Sequence, residues 1–77
     1  MGIEDGFEDL KKLVGFNIRS YRLKKKLSQK ELSNLSGLDT NYIGGVERGE
    51  RNISLKNLYI ISISLEISID LIFLKNS

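Results

Sequence analysis

The chain has 77 residues and a formal net charge of +2, with 29% charged and 40% hydrophobic residues, the balance of one small folded domain rather than a disordered tail. It contains no Cys and no His, so disulfides, thiolate chemistry and the commonest general base and metal ligand are all absent. These absences argue against an enzyme, and neither a metal nor another cofactor is expected. The charge is unevenly spread. Glu4, Asp5, Glu8 and Asp9 crowd the first nine residues, whereas Lys11, Lys12, Arg19, Arg22, Lys24, Lys25, Lys26 and Lys30 follow without an intervening acid. A basic cluster of this kind suits an anionic partner, nucleic acid foremost, although a solvated helix face carries the same signature. The acidic cluster reads as a frayed, helix-capping N-terminus rather than a cation site.

In chain order, the spacing predicts a first helix from Phe7 to about Lys25, with Leu10, Leu13 or Val14, Ile18, Tyr21 and Arg22 near its inner face. Ser28-Gln29-Lys30-Glu31 is an S-x-x-E capping box that opens a short helix over Gln29–Ser36, with Leu32 and Leu35 as its apolar stripe and Gly37 as its left-handed stop. Asp39 caps a third helix, roughly Thr40–Arg48, with Ile43 and Val46 inward and Gly49 after it. Ser54 opens a fourth helix whose stripe is Leu55, Leu58, Ile61 and Leu65. Here the sequence is ambiguous, because residues 61–70 alternate Ile or Leu with Ser, Glu or Asp, the period of a half-buried strand. A lone strand would lack a partner elsewhere in the chain. The stretch 58–74 is interrupted by Glu66, Asp70 and serines and is too short to span a bilayer. Together with the lack of a signal peptide, this gives a cytoplasmic expectation with no membrane partner.

Two short helices around a tight glycine turn, the second N-capped, form a helix-turn-helix. In such a unit the second helix enters the major groove and the first crosses the phosphate backbone. Several blocks resemble the Xre/Cro-type helix-turn-helix family: residues 17–22, 27–32, 38–49, 54–65 and 68–73. Residues 47–52 (Glu-Arg-Gly-Glu-Arg-Asn), the pair Tyr42-Ile43, and Leu65-Glu66-Ile67 look most like the controller proteins of restriction–modification systems.

The resemblance implies an all-α, five-helix, phage-repressor-like domain with a last short helix after Ser68. It implies residues 1–8 as an acidic extension and 9–77 as the DNA-binding and dimerisation domain. The implied function is a sequence-specific transcriptional regulator that binds a palindromic double-stranded DNA operator as a homodimer, with RNA polymerase as a further candidate partner. An antitoxin or phage-type repressor of the same fold is the alternative within the class, and an adaptor that has lost DNA binding is the alternative outside it. Carried over residue by residue, Ser28 and Gln29 meet phosphate, and Thr40, Asn41 and Gly44 face bases. Tyr42, Arg48, Arg51 and Asn52 flank the groove, and Arg22 and Glu47 form a structural ion pair. Ile60, Ile63, Ile69, Phe73 and Leu74 are the expected dimer surface, because exposed apolar side chains in one patch call for a cover. Two departures stand out: Lys26 occupies a position where Gly is usual, and Gly44 and Gly45 lie inside the recognition helix, where Gly costs about 1 kcal/mol relative to Ala.

Overall fold

The computed structural model describes residues 2–75; Met1, Asn76 and Ser77, at the ends of the expected extension and domain, lie outside the described residues. Four α-helices follow one another, α1 (Ile3–Lys24), α2 (Gln29–Ser36), α3 (Thr40–Glu47) and α4 (Leu55–Leu65), and no strand occurs among the described residues. The expected fifth helix is instead a five-residue 3-10 helix, Ile69–Phe73. Its predecessor ends on Glu66 in the left-handed region at φ 58°, and after that reversal only a single tight segment is laid down.

Helix α1 begins at Ile3, four residues before the expected Phe7, so the acidic residues belong to the helix itself. Glu4 and Asp5 lie in its first turn, where negative charge suits the N-terminal dipole. The capping box of α2 forms as the sequence predicts. The Glu31 amide donates to Ser28 Oγ at 2.9 Å, and the Ser28 amide donates to Glu31 Oε1 at 2.9 Å. Gly37 ends the helix at φ 76°. Asp39 Oδ2 accepts from the amides of Asn41 and Tyr42 at the start of α3. Ser54 Oγ accepts from the Asn57 amide at the start of α4.

The alternating stretch is helical up to Leu65, where the helical register buries Leu58, Ile61 and Leu65 and its serines are satisfied within the helix. Ser62 and Ser64 donate to the carbonyls of Tyr59 and Ile60 at 2.7 and 2.8 Å, the back-bonding that lets a hydroxyl sit within a helix. Leu58, Ile61 and Leu65 then join Val14, Ile18, Leu32, Ile43, Val46 and Ile72 in the core. Three residues assigned to inner faces are not buried: Leu10, Leu35 and Leu55 are 42%, 59% and 75% exposed. Leu35 and Leu55 lie at helix ends, where periodicity alone has no partner to bury against, and Leu10 lines an open cleft with Phe7, Val14, Leu58 and Phe73. No helix among the described residues is long and apolar enough to cross a membrane.

One polar residue and one glycine close the fold. Asn17, 1% exposed, donates through Nδ2 to the carbonyls of Ile72 and Leu74 at 2.7 and 2.8 Å, tying the last helical turn to the middle of α1. Gly15 lets α1 and α3 come together: a Cβ there would lie 2.2 Å from the Val46 carbonyl oxygen and 2.7 Å from that of Glu47.

Candidate nucleic-acid interface

The helix pair α2–α3 rests on a buried charge cluster. Arg22 Nε donates to Glu47 Oε2 at 2.7 Å and Arg22 Nη2 donates to Glu47 Oε1 at 2.9 Å. Such a two-pronged pair is the strongest geometry open to a carboxylate. Arg22 Nη1 also donates to the Leu27 carbonyl at 2.8 Å, which fixes the turn between α1 and α2. Hydrogen bonding to Glu47 holds the Arg22 guanidinium above its ordinary pKa, against an opposing effect of burial. Gln29 completes the cluster, donating through Nε2 to Glu47 Oε1 at 3.1 Å. One carboxylate thereby connects α1, α2 and α3.

Around this cluster the sequence-derived positions separate into outward and inward groups. Ser28, Asn41, Arg48, Arg51 and Asn52 are exposed, Gln29, Thr40 and Tyr42 are half-buried, and Gly44 is buried. Asn41 stands in the first turn of α3. Gly44 is covered, since a Cβ there would lie 3.1 Å from Arg48 Nη1 and 3.4 Å from Gln29 Oε1. Gly45 leaves room for the stem of Arg51, whose Cγ would be 2.5 Å from an added Cβ. The two glycines thus let three long polar side chains lie flat against α3. Arg51 is held further by the Tyr42 ring, with its guanidinium carbon 5.2 Å from the centroid. Tyr42 packs its ring on the core and accepts through its hydroxyl from Asn57 Nδ2 at 3.2 Å. Nothing in the sequence pattern signals the Asn57 contact, because it spans two helices that only the fold brings together. Arg48 donates to Glu50 at 3.0 Å in an exposed pair, which water and salt weaken.

The basic flank is the C-terminal turn of α1. Lys24 lies over the Tyr21 ring, 4.9 Å from its centroid, and Lys25 meets Glu66 at 3.4 Å. Lys26 takes the left-handed conformation at φ 59°, which costs a side-chain-bearing residue about 1–2 kcal/mol.

The expected dimer residues are not all alike. Ile63 is 58% exposed, Ile60 is half-buried, and Tyr59 is exposed on the same side of α4. Leu74 is exposed, whereas Ile69 packs against the core. Phe73, 40% exposed, borders a small cleft with Phe7, Leu10, Val14 and Leu58.

A capped short helix, a glycine turn and a second capped helix with an outward polar edge define a helix-turn-helix protein. The chain belongs to that family: the family model described as Helix-turn-helix matches residues 18–72. Among its relatives is Control protein C.SmaI of Serratia marcescens, 46% identical over 63 residues, which cover 82% of this chain and 75% of that protein. The crystal structure of the restriction–modification controller protein C.AhdI from Aeromonas hydrophila is similar at a TM-score of 0.80 and 44% identity, covering 82% of this chain and 96% of that one. The controller protein C.Esp1396I, solved as a tetramer in complex with its natural 35 base-pair operator, is similar at a TM-score of 0.77 and 41% identity, covering 83% of this chain and 84% of that one.

Proposed function

We propose that this chain is a DNA-binding transcription regulator of the restriction–modification controller type, acting in the cytoplasm as a homodimer on a palindromic operator. The observation that carries this reading is the first turn of α3. It presents Asn41 outward, with Thr40 half-buried beside it, on a base held by the Gln29–Glu47 bond, and Ser28, Arg48, Arg51 and Asn52 add exposed polar side chains. On this reading α3 lies in the major groove. Asn41 reads a base edge, Thr40 supports it, and the surrounding residues hold phosphates. Gly44, buried under Gln29 and Arg48, gives the bases no side chain, so part of the selectivity falls to the shape and bendability of the DNA. RNA polymerase at the controlled promoter is then the downstream partner. Gel shifts on the DNA upstream of the chain's own gene, run at several salt concentrations, test the reading. Sequence-specific binding that strengthens as salt falls supports it, and equal binding to every sequence contradicts it.

Base and phosphate contacts should separate in the same assay. Arg51→Ala is expected to weaken all DNA sites alike and to reduce the salt slope by about one unit. Asn41→Ala is expected to relax the preference at one operator position, costing about 1–3 kcal/mol there. An Asn41→Ala variant with unchanged preference would remove that residue from readout.

For the homodimer we propose the outer side of α4, with Ile60 and Ile63, continued by Ile69, Phe73 and Leu74. A two-fold contact there spaces the two α3 helices about one DNA turn apart, roughly 34–36 Å. Ile63→Asp should place like charges face to face and give a folded chain with much weaker operator binding. An unchanged sedimentation coefficient and unchanged operator affinity in that variant would move the interface elsewhere.

A further inference from the structure

The outward side of α1 carries an apolar groove that none of the roles above uses. Gly6, Asp9, Leu10, Lys12, Leu13 and Phe16 line it, with Lys75 at its border, and its volume is about 690 Å³. Phe16 is 56% exposed. Glycine weakens a helix interior, yet Gly6 sits in the second turn of α1 with nothing within 4 Å of where its Cβ would be. Among the described residues neither Asp9 nor Lys12 has an ion-pair partner.

The lining positions on α1 are symmetric about position 11. Gly6 and Phe16 lie five residues to either side of it, Asp9 and Leu13 two, and Leu10 and Lys12 one. A second α1 running antiparallel, with the two-fold axis at that level, therefore meets the groove with its own image. Each Phe16 ring then faces the gap over Gly6 of the other copy, and Asp5 and Asp9 of each copy stand beside Lys12 of the other. The charge order of the helix agrees. All its acids come before position 10 and all its bases after it, so an antiparallel pair joins opposite charges where a parallel pair would stack like ones. A self-complementary patch of this kind is what an isologous two-fold contact requires.

We propose that α1 pairs antiparallel with α1 of a second copy, through a contact separate from the α4 face and independent of DNA. Where both faces act, dimers are joined into tetramers or longer strings.

Sedimentation velocity without DNA tests this in the Ile63→Asp background, where the α4 face is disabled. That variant should still form dimers at high protein concentration. Adding Gly6→Leu should weaken the association by about tenfold or more, because the new side chain fills the gap meant for Phe16. General surface stickiness gives the opposite result, since an added leucine would strengthen it. Lys12→Glu alone, and Asp5→Lys with Asp9→Lys alone, should each lose self-association, and an equimolar mixture of the two chains should regain it. Monomers at every concentration in the Ile63→Asp background, or association unchanged by Gly6→Leu, would overturn the proposal. If Ile63→Asp changes nothing while Gly6→Leu abolishes association, the α1 contact stands and the α4 face fails.

Discussion

Replacing Arg22 or Glu47 singly by Ala is expected to destabilise the chain by about 3–5 kcal/mol, a large part of the total stability of a domain this small. The reason is the charge left behind. Arg22 is 6% exposed and Glu47 8%, and each satisfies the other through two short hydrogen bonds. Removal of Glu47 strands a guanidinium and frees Gln29; removal of Arg22 strands a carboxylate and leaves the Leu27 carbonyl without its donor. Thermal melts decide the matter, and shifts of only a few degrees would contradict it. The double replacement Arg22→Met with Glu47→Leu should cost much less than the sum of the two single losses, since neither charge is then left alone. The pH dependence has a definite sign. The folded pKa of Arg22 is raised by Glu47, so its contribution is fully present below the ordinary arginine range and lost only as pH rises through the folded value. Melts across neutral and mildly alkaline pH should therefore show no loss from this group.

The second large effect is expected at Gly15. Gly15→Ala gains about 1 kcal/mol of helix propensity, but its methyl would meet two backbone carbonyl oxygens of α3 well inside contact distance. Backbone cannot swing aside as a side chain can, so α1 and α3 must separate. A net loss of about 1–3 kcal/mol is expected, accompanied by weaker operator binding as α3 shifts. Gly6→Ala is the matched control at a protein concentration low enough to keep the chain monomeric: it has the same propensity gain and open space around it within the chain, and its melting temperature should rise. Equal responses at the two glycines would show that the close approach at Gly15 does not govern stability.

The features legible in the sequence were those written in local chemistry. Ser28 with Glu31, Gly37, Asp39 and Ser54 each act within one turn of chain, and both bounds of α2 and the starts of α3 and α4 follow from them. Features that depend on distant partners were not legible in the spacing, and the one such contact foreseen, the Arg22–Glu47 pair, came from the family resemblance. Asn17 is an ordinary polar residue until residues 72 and 74 are brought beside it, and Gly15 looks like a helix defect until α3 lies across it. The alternation after Ile61 was ambiguous because a serine that bonds its own helix and a serine that faces water look the same in a pattern of letters. The outward residues of α3 were placed by resemblance to a family. Spacing alone gives their side of the helix but not that Gly44 lies under Gln29 and Arg48.

The bond from Gln29 to Glu47 has a consequence for how the chain would meet DNA. A glutamine loses considerable rotamer entropy when it is ordered, and here that loss is incurred during folding, since one Nε2 hydrogen is already committed to the carboxylate. The second hydrogen stays available to a phosphate at a fixed position and with little further ordering. A contact of this kind adds affinity without adding charge, so it would persist at salt concentrations that strip away the attraction of Lys24, Lys25 and Arg51. It also makes the anchor no more rigid than the carboxylate that holds it, so that a change at Glu47, besides stranding the Arg22 guanidinium, would slacken the grip of Gln29 on the backbone of the DNA.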